Sequence, residues 1–171
     1  KSHRYISYEK AKSLLSIKRN KAKYVGVLVN PTFKELEKFS NLNLDYFQLY
    51  GQFNSKSLID IKNKFKKKII TSFTIENSKD LEKWKLYKKM SDIFLFDSKG
   101  YEKSLSFNHS LIKNTKFDKE VMIAGNIQID DNLENFKKIA DIIDISGGVE
   151  TSGLKDISKI EIFLKKINLI K

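Results

Sequence analysis

The chain has no cysteine, so disulfides, thiolate metal ligands and a cysteine nucleophile are all excluded within its 171 residues. Proline occurs once, at Pro31, so few sharp helix stops are imposed on the backbone. No apolar run approaches the roughly 20 residues of a membrane-spanning helix, and the start of the chain has no leader-like pattern. A cytoplasmic protein is the resulting expectation. The two histidines, His3 and His109, lie too far apart for metal-ligand spacing, which argues against a metal site. Glycine is scarce too, with no GxGxxG and no Walker pattern to cradle a dinucleotide or a nucleoside triphosphate.

Lysine is abundant. The formal net charge of +12 raises nucleic acid as a partner. Against it, Arg4 and Arg19 are the only arginines, and the lysines are spread along amphipathic segments. Neither an aromatic RNA-binding motif nor a KH-type glycine loop accompanies them. A solvated lysine surface that attracts a small anionic substrate accounts for the charge better than nucleic acid does.

Two hydrophobic periodicities alternate along the chain. Short runs rich in Val, Ile, Phe and Tyr occur at 24–30, 46–51, 69–75, 93–98, 121–127 and 142–150. Their length and density predict buried strands covered on both faces. Between them lie lysine-rich segments with helical spacing. In KDLEKWKLYKKM, Leu81, Trp84 and either Leu86 or Tyr87 face inward. In the final segment, Ile157, Ile160, Phe163, Leu164 and Ile167 form one stripe. Asn30 directly before Pro31, and Ser78 before Lys79-Asp80-Leu81, predict helix starts. One strand and one helix per 20–28 residues predicts a parallel α/β fold, either doubly wound or a barrel. With no linker between the units, residues 1–171 read as a single domain.

Ligands of such folds gather at the carboxyl ends of the strands. There stand Asn30, Gln48, Tyr50-Gly51, Thr74, Asp97-Ser98, Gly125-Asn126 and Ser146-Gly147-Gly148. Any βα turn needs polar or glycine residues, so each position taken singly reads equally as a turn. The glycines of the last two ends let backbone N–H groups approach an oxyanion, as in the phosphate sites of many barrels. The turn TSGLKD follows them, with Asp156 or Ser158 at the cap of the last helix.

In order along the chain, these ends resemble phosphoribosylanthranilate isomerase, a (β/α)8 TIM barrel of the ribulose-phosphate-binding type. KSHRYIS at 1–7 is similar to the family's S-x-R-Y-I/V-S, YVGVLVN at 24–30 to its VGVF-x-N, and FQLYG at 47–51 to V-Q-L-H-G. FLFDS at 94–98 stands where the family has LLD followed by Ser or Thr, and MIAGNI at 122–127 resembles L-x-GGL. DISGGVETSGLKD at 144–156 carries the most specific likeness.

The resemblance implies an Amadori rearrangement of N-(5′-phosphoribosyl)anthranilate in tryptophan biosynthesis, with no cofactor and no metal. It implies that Asp97 is the general acid, which requires an apolar surrounding to keep its carboxyl protonated near neutral pH. Phe94, Leu95 and Phe96 are the expected walls. Substrate contacts fall to Arg4, for the anthranilate carboxylate, and to Gln48 and Tyr50. The phosphate falls to Gly125, Asn126, Ser146, Gly147 and Gly148. The partner is then a small phosphorylated anion, bound by a monomer or a homodimer.

There are departures from the family pattern. Tyr50 replaces its usual histidine, and Asn126 replaces a glycine. The stretch after Asp97 lacks the family's GG-x-G. The family's base is a cysteine in a first-strand K-I/V-C-G segment, absent here. The expectation is therefore an N-terminally incomplete barrel with about six of eight strands, which folds poorly alone or associates. The competing functions are another phosphate-binding barrel enzyme, such as indole-glycerol-phosphate synthase, and a non-catalytic barrel remnant that acts as a binding protein.

Overall fold

A computed structural model describes residues 4–98 and 109–170. Its contacts divide the chain into two compact units, one built on residues up to Thr71 plus Lys89–Asp92. The other is built on Ser72–Lys88 and the residues from Ile93 onward. In both, parallel strands follow one another in chain order with helices between them. This is the repeating βα pattern of a partial (β/α)8 barrel.

The first unit begins with α1 (Tyr8–Leu15), capped by Ser7, whose side chain accepts from the Lys10 N–H. Strand β1 (Val25–Val29), helix α2 (Phe33–Ser40), strand β2 (Tyr46–Tyr50), helix α3 (Ser55–Phe65) and the start of β3 (Lys68–Ile75) follow. Strands β1 and β2 pair in parallel from Val25↔Tyr46 to Val29↔Tyr50, and β2 pairs with β3 from Tyr46↔Lys68 to Leu49↔Thr71. Period two then sorts β2 into a face of Phe47 and Leu49 and a face of Tyr46, Gln48 and Tyr50. Phe47 meets the Phe65 ring of α3 edge-on at 6.4 Å, so the first face packs against helices.

Strand β1 departs from the expectation of burial on both faces. Val25, Val27 and Val29 are 37%, 58% and 50% exposed. Among the described residues, β1 has a strand partner on one side only, and nothing covers that row of valines. Helix α2 departs from expectation too. Asn30 adopts a left-handed φ of 45° and the cap is Thr32. A reciprocal box joins Thr32 and Glu35, and the Thr32 N–H holds the Glu35 carboxyl below its ordinary pKa. At α4 the shift is the other way: the cap is Asn77, one residue earlier than expected, in a box with Asp80.

The amino ends of the strands share a device. Asp45 immediately precedes β2; its N–H donates to Tyr24 O and its Oδ2 accepts from Tyr24 N, each at 2.8 Å. Asp92 forms the same pair of bonds with Ile69, both at 2.8 Å. Asp141 forms it with Val121, at 2.9 and 2.8 Å. Asp45 and Asp141 thereby staple the start of one strand to the start of the strand before it, and Asp92 makes the same clasp on Ile69 within the first unit. Arg19 at 2.6 Å balances Asp45, and Lys62 at 2.8 Å balances Asp92.

The Tyr24 N–H, then Arg19 and Lys23, hold Asp45 below the usual carboxylate range. A depressed folded pKa contributes stability that is present above the unfolded value of about 3.9 and lost as pH falls through the folded value. Asp45→Asn is expected to cost about 1–3 kcal/mol at pH 7, the worth of charge-assisted hydrogen bonds. In urea titrations, the gap between wild type and Asp45→Asn should close toward pH 3. A gap that stays constant with pH would rule out the carboxylate as its source.

The second unit holds the rest of β3, α4 (Ser78–Leu81) with a 3-10 continuation over Glu82–Tyr87, and β4 (Ile93–Ser98). Next come β5 (Glu120–Ile123), α5 (Leu133–Lys137) and β6 (Ile142–Ile143). A hairpin of β7 (Glu150–Thr151) and β8 (Leu154–Lys155) precedes α6 (Ile157–Leu169). Strand β5 pairs in parallel with β4 (Phe96↔Ile123) and with β6 (Ile123↔Ile143). The runs expected at 121–127 and 142–150 are shorter as strands, because left-handed Gly125 and Asn126 end the first and tight turns follow Ile143.

The core of this unit is aromatic. Phe73 stacks on Phe96 at 5.5 Å, and Trp84 lies 5.1 Å from Phe117 and 5.5 Å from Phe94. Truncating any such buried ring costs roughly 3–5 kcal/mol. The 3-10 geometry settles the inward side of residues 79–90. At three residues per turn, Leu81, Trp84 and Tyr87 align, and Leu86 is left 70% exposed. On α6, Ile160, Phe163 and Ile167 pack into the cluster, joined by Ile170 just beyond its end. Ile157 and Leu164, expected on the same stripe, are 74% and 52% exposed. Ile157 sits in the first turn beside the Asp156 cap, and Leu164 is rotated about 100° away from Phe163.

Candidate active site

In the first unit, the ends of β1 and β2 are locked together. Asn30 N–H donates to Tyr50 O at 2.8 Å. The Asn30 side chain lies over Gly51, whose φ is +132°; a Cβ there would fall 2.1 Å from Asn30 Oδ1. Gln48 is only 6% exposed and donates from Nε2 to the Tyr50 hydroxyl at 3.3 Å. These two expected substrate contacts therefore share one strand face and one hydrogen bond. Tyrosine at position 50 supplies an acceptor where the family's histidine stands. Arg4 is exposed at the start of the described chain.

In the second unit, Asp97 is the next-to-last residue of β4 and is half-buried. Its Oδ1 accepts the Ser98 N–H at 2.8 Å. Of its three expected walls, Phe94 and Phe96 contact the Phe73, Trp84 and Phe117 rings on the opposite face. Strand alternation leaves only Leu95, fully buried, on the Asp97 side. Of the stretch after Asp97 that stands against the family's glycine loop, residues 99–110, positions 99–108 lie outside the described residues, as does His3.

Gly125 abuts the end of β4 at close range. With φ +102°, a Cβ there would lie 2.7 Å from Ser98 Oγ and 3.1 Å from Ser98 N. His109 is drawn to the same corner: its Nε2 meets Ala124 O at 3.2 Å and its ring meets Phe136 edge-on at 5.1 Å. Burial holds the imidazole below its ordinary pKa, so the neutral ring is favoured there.

The second glycine turn lies against the first. Gln128 and Gly148 form a parallel bridge, and a Cβ on Gly148 would fall 2.3 Å from Ile127 O. Asn126, at φ +54°, accepts from Gln128 Nε2 through both its backbone O and its Oδ1. Contacts thus run unbroken from Asp97 through Ser98 and Gly125 to the turn at Ser146–Gly148. Among the described residues, the N–H groups of Gly125, Asn126 and Gly147 make no backbone hydrogen bond. Such a set of open donors suits an oxyanion.

Sequence reasoning left several of these parts unassigned. Ser98, His109 and Gln128 shape the first glycine turn, and Lys155 and Glu150 brace the second. Asp156, one of two residues expected at the last cap, is the cap itself. The Thr151 hydroxyl, first among its partners, holds its carboxyl below the usual range. Among the described residues, no three His, Cys, Asp or Glu side chains gather as a metal site would require. No described helix is long and apolar enough to cross a membrane.

A family model described as N-(5′-phosphoribosyl)anthranilate (PRA) isomerase matches residues 1–166. A relative from Thermoanaerobacter pseudethanolicus, named N-(5′-phosphoribosyl)anthranilate isomerase, is 34% identical over 178 residues. That match takes in 100% of this chain and 85% of the relative. Among solved structures, phosphoribosyl anthranilate isomerase from Thermotoga maritima superposes with a TM-score of 0.84 at 27% identity, over 98% of this chain and 83% of that one. The enzyme solved in complex with reduced 1-(o-carboxyphenylamino)-1-deoxyribulose 5-phosphate gives a TM-score of 0.78 at 26% identity, over 98% and 82%.

Proposed function

We propose the chemistry of this chain from one premise: it belongs to the N-(5′-phosphoribosyl)anthranilate isomerase family. The chain is accordingly an isomerase of tryptophan biosynthesis. Its substrate is N-(5′-phosphoribosyl)anthranilate and its product the 1-deoxyribulose 5-phosphate isomer.

Asp97 acts as general acid. It gives its proton to the ribose ring oxygen as the C1′–O bond breaks, and the anilino nitrogen lone pair forms the Schiff base. A base then removes the C2′ proton, the electron pair flows to the nitrogen, and the enolamine tautomerises to the ketone. No atom is gained or lost, and no redox partner is needed. The 171 residues hold no cysteine, so none of them supplies a thiolate for the C2′ step.

The single observation that supports this reading is the continuity of Asp97 with the paired glycine turns through Ser98. An acid at a strand end beside an array of open N–H donors suits a phosphorylated sugar. The phosphate is taken by Gly125, Asn126, Ser146, Gly147 and Gly148. Gln48 and Tyr50 line the substrate, and Arg4 pairs with the anthranilate carboxylate. The net charge of +12 draws the anionic substrate in. The reading puts the reaction in the cytoplasm, where a charged, phosphorylated substrate is retained by the cost of taking its charge into a membrane.

The test is turnover by the full-length protein, followed as loss of phosphoribosylanthranilate fluorescence. Loss at an enzymic rate with the ketose as product is expected. Purified, folded protein that binds the substrate and leaves its fluorescence unchanged would establish the barrel as a binding protein instead.

A further inference from the structure

Lys155 is the residue of the second glycine turn to which the reaction scheme gives no work. It stands in β8, directly opposite Glu150 in the β7–β8 register. Left-handed Ser152 (φ 52°) and Gly153 (φ 78°) make the two-residue turn that sets this register. The Lys155 ammonium donates to Ser146 O at 2.8 Å, to Ser146 Oγ at 3.2 Å and to Glu150 Oε1 at 2.8 Å. It therefore grips the turn at its first residue, Ser146, and holds Glu150 two residues beyond its end. Glu150 is braced in turn: its N–H donates to Gly147 O at 2.9 Å, and its carbonyl accepts Lys159 Nζ at 2.7 Å. Val149 N–H reaches Ser146 O as well.

These bonds have one electrostatic consequence. The carbonyls of Ser146 and Gly147, which would repel an anion, are both drawn into hydrogen bonds. The Gly147 N–H stays uncommitted to backbone among the described residues. We propose that Lys155 is a positioning residue for phosphate: by holding Ser146 and Glu150 it sets the Ser146–Gly148 turn with its N–H groups turned to the oxyanion. The inference rests on the assignment of this turn to the substrate phosphate.

The experiment titrates inorganic phosphate into the 15N-labelled full chain and follows the Gly125 and Gly147 amides. Wild type should shift at both. Lys155→Met should raise the phosphate dissociation constant about tenfold, the effect of losing charge-assisted hydrogen bonds. The KM for substrate should rise with it while kcat stays within about threefold. Lys155→Arg should recover most of the affinity, because a guanidinium can span the same acceptors. Were Lys155 only a stabiliser of the hairpin, Lys155→Met would lower Tm and leave phosphate affinity unchanged. Where Lys155→Met does not fold, Glu150→Gln loosens the ammonium and should weaken phosphate about two- to threefold.

Folded Lys155→Met with wild-type phosphate affinity and KM would overturn the proposal. Wild type whose glycine amides ignore phosphate would instead overturn the phosphate assignment itself, and the role of Lys155 with it.

Discussion

Asp97→Asn in the full-length protein is expected to lower kcat by about 10³-fold or more while substrate affinity stays within about threefold. The amide keeps the shape of the side chain, and its Oδ1 can still accept the Ser98 N–H that Asp97 Oδ1 holds at 2.8 Å. What it loses is the transferable proton. The ribose ring oxygen would then leave as an unprotonated alkoxide, a far poorer leaving group than a hydroxyl. The effect belongs in kcat, because the proton moves only as the ring bond breaks. Fluorescence loss under saturating substrate measures it, and binding of a reduced product analogue checks that the site is intact. Turnover within tenfold of wild type would remove Asp97 from the acid role.

Gly125→Ala should be nearly as damaging, for a geometric reason. The backbone at Gly125 has φ +102°, which L-residues rarely adopt, and the added Cβ would lie 2.7 Å from Ser98 Oγ and 3.1 Å from Ser98 N. The backbone nitrogen cannot swing aside as a flexible side chain can. Strain and overpacking together should cost about 2–4 kcal/mol, read as a lowered urea midpoint. Relief of the clash must move Ser98, whose N–H holds the Asp97 carboxyl, so kcat/KM should fall roughly 100-fold. Gly153→Ala is the control for strain alone. There φ is +78° and nothing lies within 4 Å of the new Cβ, so about 1 kcal/mol is expected. Equal losses of stability at the two positions would refute the packing argument for Gly125.

The difference between what could and could not be read beforehand is visible at particular residues. Buried strands were legible because dense Val, Ile and Phe in short runs has few other uses. Their ends were less so. The capping box Thr32-x-x-Glu35 was present in the letters, yet the Asn30-Pro31 pair competes with it as a start signal. Backbone conformation decided for Thr32, since Asn30 at φ 45° cannot begin a helix. Likewise, Leu86 and Tyr87 are equivalent inward candidates at 3.6 residues per turn. They separate only when the segment tightens to a 3-10 helix. The triplet Asp45, Asp92 and Asp141 was also in plain view, each before an apolar pair. Its function as a staple depends on a backbone N–H some 20 residues away, which local pattern cannot supply.

The candidate site divides in the same way. Asp97 and the glycines stood out because strand ends are where such folds place chemistry. The resemblance of ordered motifs then named that chemistry. Lys155 did not stand out among so many lysines, because its importance comes from the hairpin register that sets it against Glu150 and Ser146. By itself, then, the sequence determined the βα repeat and the family, carried by periodicity and by local order along the chain, and it singled out Asp97 as the proposed acid. Only the tertiary structure decided which wall Asp97 faces, which glycine meets Ser98 and which lysine grips the Ser146–Gly148 turn. Those are contacts between residues distant in the chain, and close packing, which local composition does not encode, selects among them.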